Sequence, residues 1–218
     1  MDSKLMEQII TQVVIALQER FPDGEAPPKG IPVGISNRHI HLSTTDAAIL
    51  FGEGHALTKM KDLKQEGEYA AEETVTLIGP KGVLRGVRVL GPLRGKTQVE
   101  ISCTDGFTLG INAPVRDSGQ TQGAPGISIA GPCGALMLRE GVICAARHIH
   151  MSPAEAEALR LHDQDRINIE SFGPRGVIFK NVLIRVHPKF RLEMHLDVDE
   201  ANAAGLKNND PVYLYRPE

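Results

Sequence analysis

The sequence predicts a mainly β protein built from two related units, with short helices and one separate amphipathic helix at the N-terminus. Three observations predict this class. After residue 30 the chain consists of short apolar runs punctuated by glycine and proline. Strands do not alternate with long helices, and no glycine-rich loop precedes a long helix, which disfavours a doubly wound α/β fold. Several motifs return in the same order later in the chain, so a duplicated barrel or sandwich is favoured.

The first predicted element is an amphipathic helix over residues 3–21. Its apolar residues recur at helical spacing: Leu5, Ile9, Ile10, Val13, Val14 and Leu17. A Pro-Asp-Gly turn at 22–24 ends it, and the proline-rich stretch 26–30 is typical of an extended linker. A helix on such a tether either packs on its own domain or docks onto a partner.

The remaining elements follow from apolar alternation for strands and from caps and spacing for helices. The predicted strands are 31–35, 74–78, 83–90, 98–102, 127–130, 141–145, 166–171, 177–186, 191–197 and 211–215. The predicted helices are 44–51, 105–109, 153–159 and 200–204.

Composition excludes several classes of protein. The 218 residues carry 24 Lys+Arg and 27 Asp+Glu, a net charge of −3, which argues against nucleic acid as a partner. No apolar run reaches the roughly 18 residues of a membrane span. The cysteines number 3, an odd count, and no secretory segment precedes the first element, so we expect a cytoplasmic protein with free thiols.

The repeats hold most of the histidines. The block Arg38-His39-Ile40-His41-Leu42-Ser43 returns 109 residues later as Arg147-His148-Ile149-His150-Met151-Ser152. Val99-Glu100-Ile101-Ser102 aligns with Met194-His195-Leu196-Asp197 at an offset of 95, and extra residues around 52–71 of the first copy absorb the difference. These blocks indicate two units on one plan, with strand exchange between them left open.

This arrangement predicts two sets of three metal ligands. Histidines at i and i+2 share one face of a strand, whereas on a helix they would point apart. Apolar neighbours flank Glu100 and His195, which places both on the polar face of their strands. The predicted sets are His39, His41 and Glu100, and His148, His150 and His195.

Three ligands with an open position are typical of a catalytic metal. Imidazole and carboxylate donors favour zinc, with cobalt, nickel or manganese as substitutes. Matching places in related units further predict that the two metals face each other as a dinuclear site. The alternative, surface histidines and a solvated glutamate, holds for each residue alone, and we expect it for His55, His162 and His187.

Basic residues in glycine-rich turns indicate an oxyanion substrate. Arg94 lies just before the Glu100 strand, and Arg116 and Ser118 share a second such loop. From the residues alone, a dinuclear hydrolase of phosphate esters or amides and a non-catalytic metal or docking module both stay open.

Long motifs in order closely resemble the PduL-type phosphotransacylases (phosphate propanoyltransferases) of bacterial microcompartments. The likeness covers about residues 31–206 and rests on five runs, at 33–43, 74–82, 98–102, 145–153 and 193–204. It implies metal positions at the six residues already proposed, an active-site arginine at Arg94 and a substrate-binding serine at Ser118. Where this family reads Ile-Ser-Arg-Thr-Asp, the chain has Cys103 in place of the arginine.

The resemblance also implies an architecture. It divides the chain into an encapsulation-peptide-like segment (1–30), one β-barrel from 31–37 plus 146–218, and a second β-barrel from 38–145, both capped by short helices. Two Zn²⁺ ions and coenzyme A would share the cleft between the barrels.

The activity implied is the reversible conversion of acyl-CoA, with propanoyl-CoA first, and phosphate into acyl phosphate and CoA. Residues 3–21 would bind shell or core proteins of a microcompartment. The sequence leaves open the acyl-chain preference and the oligomeric state, a homo-oligomer included.

Overall fold

The computed structural model describes Gln12 and residues 30–215, and these residues are mainly β. The contacts divide the chain into Met1–Gly30 and Ile31–Glu218, and everything below concerns the second part. The predicted helix 3–21 and the linker 26–30 lie outside the described residues, apart from Gln12 and Gly30.

The strands and helices of the described part are short. The strands are β1 (Ile31–Ser36), β2 (His39–His41), β3 (Lys59–Asp62), β4 (Tyr69–Ile78), β5 (Val83–Gly91), β6 (Gln98–Glu100), β7 (Val115–Arg116), β8 (Ile127–Ala130), β9 (Ala135–Leu138), β10 (Val142–Ala145), β11 (His148–Met151), β12 (Arg166–Glu170), β13 (Ile178–Val186), β14 (Glu193–Asp197) and β15 (Pro211–Leu214). The helices are α1 (Thr44–Phe51), α2 (Cys103–Leu109), α3 (Pro153–Leu159) and α4 (Val198–Ala204).

Six strands close a barrel in the order β1-β14-β11-β13-β12-β15. Strand β1 closes it, because it pairs in parallel with β14 and antiparallel with β15. Aliphatic side chains from four of these strands fill the interior and are inaccessible to solvent: Val33, Ile149, Ile184 and Met194. The N-terminal strand therefore belongs to the same core as the C-terminal strands.

The other nine strands form a half-barrel sheet. Its order is β7-β10-β6-β2-β5-β4-β8-β9, with β3 paired to β4 beside this path. Its core includes Ile40, Leu77, Val89 and Ile129, all fully buried. The prediction of a mainly β protein in two related units is confirmed: one barrel is closed, and the second sheet stays open at β7 and β9 within residues 30–215.

The internal repeat is visible in the strand pairing. Strand β2 lies parallel to β5 and antiparallel to β6. Strand β11 repeats this arrangement, parallel to β13 and antiparallel to β14. The same local plan thus occurs once in each sheet.

Each of the four strands that carry the repeated blocks runs directly into a helix. Side-chain oxygens of Ser43, Ser102, Ser152 and Asp197 accept hydrogen bonds from backbone N–H groups of the first turns. α2 and α4 begin at residues 103 and 198, two residues before their predicted starts, because these caps lie directly at the strand ends. Capping of this kind stops each strand at a defined residue.

The sequence prediction missed three strands and the first half of a fourth. β3 has four exposed residues and β7 only two, so neither carries an apolar alternation. β9 alternates between exposed and half-buried positions only, and β4 begins at Tyr69 rather than residue 74. The proposed division of the second part at 37/38 and 145/146 stays a prediction.

Among the residues that the structure describes, no helix has the length and apolar character needed to cross a membrane.

We predict that Ile184→Ala lowers the free energy of unfolding by about 2–5 kcal/mol, because it leaves a cavity in the closed barrel. The matched control is Ile178→Ala on the same strand, where the side chain is 40% exposed. Its cost should stay below about 1 kcal/mol. Urea unfolding of both variants measures the difference, and equal losses would contradict a packed barrel core.

Candidate metal centre

Strand pairing brings each His-x-His block beside its predicted third ligand. His39 lies opposite Glu100 on antiparallel strands β2 and β6. His148 lies opposite His195 on β11 and β14. Side chains directly opposite each other share a sheet face, so the two histidines of each block and the third residue point the same way.

In the first set, the Glu100 carboxylate faces two imidazoles. Its Oε2 lies 3.5 Å from His39 Nε2, and its Oε1 lies 4.0 Å from His41 Nε2. The two imidazole rings are 5.1 Å apart and nearly perpendicular. One donor atom from each residue lies within 4.8 Å of the others. A single cation can therefore be shared by the three.

In the second set, three imidazoles form a nearly equilateral triangle. The ring centroids are 4.7 Å apart for His148 and His150, 4.9 Å for His148 and His195, and 4.8 Å for His150 and His195. Their donor atoms also lie within 4.8 Å of one another. These two sets are the groups of this kind found among the described residues.

Burial keeps three of the histidines neutral. It is the main cause that lowers the pKa of His41 to about 3, helped by the charges of His39 and Arg94. Burial likewise lowers the pKa of His148 to about 4 and of His150 to about 2, with neighbouring histidines adding to the effect. A neutral imidazole has a free lone pair, which is the state that a metal requires.

Glu100 is held as a carboxylate. Burial alone would raise its pKa, but the charges of His39 and His41 and a hydrogen bond from Ser118 outweigh burial and lower the pKa to about 2. The first set thus offers one anionic and two neutral donors, and the second set offers imidazoles.

Unpaired ring nitrogens support a cation here. Both nitrogens of His150 are buried without a hydrogen-bond partner, and an unsatisfied buried polar atom costs about 1–3 kcal/mol. Nδ1 of His39 and Nδ1 of His148 lie 2.8 Å from the carbonyl oxygens of Asn37 and Ala146. A carbonyl only accepts, so Nδ1 carries the hydrogen and Nε2 of each ring keeps its lone pair. The donor set therefore fits a metal.

Both sets line one cleft of about 680 Å³, together with Arg94 and Ser118. Arg94 donates from Nη2 to Glu68 Oε1 at 3.1 Å, and its side chain is 35% exposed. Ser118 donates to Glu100 Oε1 at 2.9 Å. The structure brings all eight predicted site residues to the same cleft, and their roles there stay predictions.

The arginines before the histidine blocks pair with helix-capping acids. Arg38 lies 2.7 Å from the buried Asp105, and Arg147 lies 2.8 Å from Glu200. Both acids also accept from the backbone at the start of α2 or α4. Each arginine therefore ties the beginning of a histidine strand to the helix that follows the third ligand.

The cysteines and the other histidines lie outside the two sets. Cys144 is buried, its Sγ lies 3.4 Å from Asp197 Oδ2, and burial and that carboxylate raise the pKa of its thiol. Cys103 is exposed. His55 contacts Glu73 at 2.8 Å, and His162 lies at an exposed turn.

Sequence reasoning missed the residues that contact the third ligands. Gln98 donates to Glu100, and Glu193 accepts from His195. A signal was present, since the 95-residue offset that aligns Glu100 with His195 also aligns Gln98 with Glu193. It also missed Glu68, the partner of Arg94, because residues 52–71 have no counterpart in the second copy.

Comparison with known proteins assigns the family. The family model for phosphate propanoyltransferase matches residues 32–207. The chain belongs to this family. This confirms the resemblance and the prediction of a phosphotransacylase enzyme.

Curated relatives match over most of their length. A phosphate propanoyltransferase of Thermotoga maritima is 57% identical over 187 residues, 85% of this chain and 89% of the relative. One from Salmonella typhimurium is 52% identical over 209 residues, 95% of each chain. One from Rhodopseudomonas palustris is 50% identical over 221 residues, 98% of each.

Proposed function

We propose that the protein converts acyl-CoA and phosphate into acyl phosphate and CoA, reversibly, with propanoyl-CoA as the acyl donor. One observation carries this proposal: two sets of three metal-binding side chains line the same cleft as an accessible arginine. The names of the relatives, each a phosphate propanoyltransferase, support this substrate.

Each set would hold one divalent cation. His39, His41 and Glu100 would hold one, and His148, His150 and His195 the other. Zinc suits these donors best, with cobalt, nickel or manganese as substitutes. When bound, zinc supplies Lewis acidity and stabilises a thiolate.

The reaction balances without a protein nucleophile. A phosphate oxygen forms a bond to the thioester carbonyl carbon, the carbon–sulfur bond breaks, and the phosphate proton ends on the thiol of CoA. The chain's contribution is to position the two substrates in one cleft and stabilise their charge. An acyl-enzyme on Cys144 is disfavoured, because burial beside Asp197 keeps its thiol protonated.

Arg94 would bind the phosphate. Its guanidinium forks to an anion in two directions, and its backbone is held by a hydrogen bond from Arg94 N to Leu42 O at 2.8 Å. It already binds an anion here, the carboxylate of Glu68. Because that pair is only partly buried, phosphate can replace the carboxylate at little cost.

Family membership favours this transferase over a dinuclear phosphate-ester or amide hydrolase, which would use the same ligands. The two are separated by the acceptor. The transferase releases CoA only when phosphate is supplied, whereas a hydrolase releases phosphate from esters without CoA.

We predict that chelation abolishes formation of acyl phosphate and that Zn²⁺ or Co²⁺ restores it. His148→Ala should reduce bound metal from two ions to one and abolish turnover, because it removes one of three donors. Metal content by mass spectrometry and CoA release with a thiol reagent measure the two effects.

The matched control is His162→Ala, since that side chain is 87% exposed and outside the cleft. It should keep both metals and full turnover. Full activity of a verified metal-free enzyme would overturn the proposal.

We predict that Arg94→Ala raises the KM for phosphate roughly 10- to 100-fold, the effect of losing a charged hydrogen bond, while both metals stay bound. Arg94→Lys should lie between it and the native enzyme, because lysine keeps the charge but loses the fork. Arg85→Ala, an exposed arginine on β5 outside the cleft, is the control. An unchanged phosphate KM in Arg94→Ala would exclude this role.

We further propose that residues 3–21 carry the enzyme into a protein-shelled bacterial microcompartment, which would place it in the cytoplasm of the cell. The support is the amphipathic pattern, the linker and the family.

We predict that Ile9→Glu with Val13→Glu, on the apolar face, removes the enzyme from purified microcompartments but leaves catalysis intact. Gln8→Glu with Gln12→Glu, on the polar face, adds the same charge and should remain encapsulated. Recovery of enzyme in the purified shells measures this. Loss of catalysis in the first variant would instead favour a helix that packs on its own domain.

A further inference from the structure

Two buried residues occupy the same place in the two ligand sets. Gln98 and Glu193 each precede the third ligand by two residues, so they lie on its side of the strand. Gln98 is directly opposite His41, and Glu193 is directly opposite His150. Their exposed fractions are only 4% and 8%. The places are equivalent, but one residue is an amide and the other a carboxylate.

The Gln98 amide has only one orientation that satisfies its neighbours. Its Oε1 accepts from Gly119 N at 2.8 Å, so its Nε2 must face the cleft. Nε2 donates to Glu100 Oε1 at 2.6 Å and to Ser118 Oγ at 2.8 Å. Ser118 donates to the same Oε1. Two donors therefore engage Oε1, which leaves Oε2 as the oxygen nearest His39.

The Glu193 carboxylate does the reverse for the second set. Its Oε2 lies 2.9 Å from His195 Nε2, and a carboxylate accepts, so that nitrogen carries the hydrogen. The lone pair of His195 is then on Nδ1. Lys64 lies 3.4 Å from the other oxygen of Glu193 and balances its charge.

The backbone makes room for this carboxylate. A Cβ atom at Gly34 would lie 2.6 Å from the Glu193 carboxyl carbon. Gly34 is paired with His195 across β1 and β14. Strand β1, the strand that closes the barrel, thus leaves a space that Glu193 fills beside the ligand.

We propose that Gln98 and Glu193 are matched positioning residues, each presenting the hydrogen-bonding group that its third ligand requires. The carboxylate of Glu100 requires a donor and has an amide. The imidazole of His195 requires an acceptor and has a carboxylate. An outer partner that matches its ligand fixes the orientation and tautomer of that ligand. This inference rests on the proposed metal sites and adds the rule that joins each ligand to its partner.

The rule predicts rescue by exchange. Gln98→Glu places a second carboxylate against Glu100 and should weaken one metal site roughly 10- to 100-fold, the range for loss of an outer partner. Gln98→Glu combined with Glu100→His recreates in the first set the pairing of the second. Affinity should then return to within a few-fold of the native site.

Cobalt(II) titration followed by visible absorption is the measurement, because the absorption bands report ligand type and geometry separately from catalysis. The double variant should also give two similar all-histidine spectra. Glu100→His alone, beside a donor amide, should bind more weakly than the double variant. If the double variant binds no better than Gln98→Glu alone, the rule is wrong.

A test at Gly34 covers the second set with a minimal change. Gly34→Ala adds one methyl group against a movable side-chain end, so it should displace Glu193 and weaken the second site. Combined with Glu193→Ala it should have no further effect, because the methyl then has room. Glu66→Ala, an exposed glutamate outside the cleft, is the control and should leave both sites unchanged.

The outcomes separate this inference from the proposed function. A native protein that binds no cobalt or zinc would overturn the metal sites themselves. A native protein that binds two ions, with Gly34→Ala and Gln98→Glu both binding as tightly, would overturn only the matched positioning residues.

Discussion

The candidate site depends on the register of two antiparallel strand pairs. Between the ligands, Ile40 pairs with Val99 and Ile149 pairs with Met194, and all four side chains are fully buried on the opposite face. A slip of one residue would turn these aliphatic side chains into the cleft and the ligands into the core. The hydrophobic cores therefore hold the polar site in place.

Burial on one face and coordination on the other explain the electrostatics of the cleft. Imidazoles packed together in a poorly solvated place lose their protons, and this leaves lone pairs that no protein group satisfies. The sets differ in charge, since only the first contains a carboxylate. Two cations held in neighbouring sets would repel each other, and the negative charge of Glu100 reduces that repulsion.

The exchange of β1 connects the two sheets. The chain leaves the closed barrel at Ser36 and enters the half-barrel at His39, with only residues 37 and 38 between. It returns between β10 and β11 by a similarly short crossing. Two contacts support these crossings: Thr104 N donates to Asp199 Oδ2 at 2.8 Å, and the buried Gln65 side chain makes two hydrogen bonds to the backbone of Arg191. Short crossings of this kind leave the ligand sets little freedom to separate.

The features that local patterns specify were predictable. Alternation within a strand told that His39 and His41 share a face, and the repeat told that His148 and His150 do the same. Most strands and the four short helices followed from caps, turns and apolar spacing. Exposed strands such as β3 carry no such pattern, so the sequence could not reveal them.

Long-range pairing decided the rest. The sequence could nominate Glu100 and His195 as third ligands, but their place beside the histidine blocks depends on strands that lie about 45 to 60 residues apart in the chain. The donor and acceptor roles of Gln98 and Glu193, the pairing of Glu68 with Arg94 and the closure of a barrel by β1 arise only when distant surfaces are packed together. Hydrogen-bond partners are chosen by distance and orientation in the folded chain, and a linear pattern contains neither.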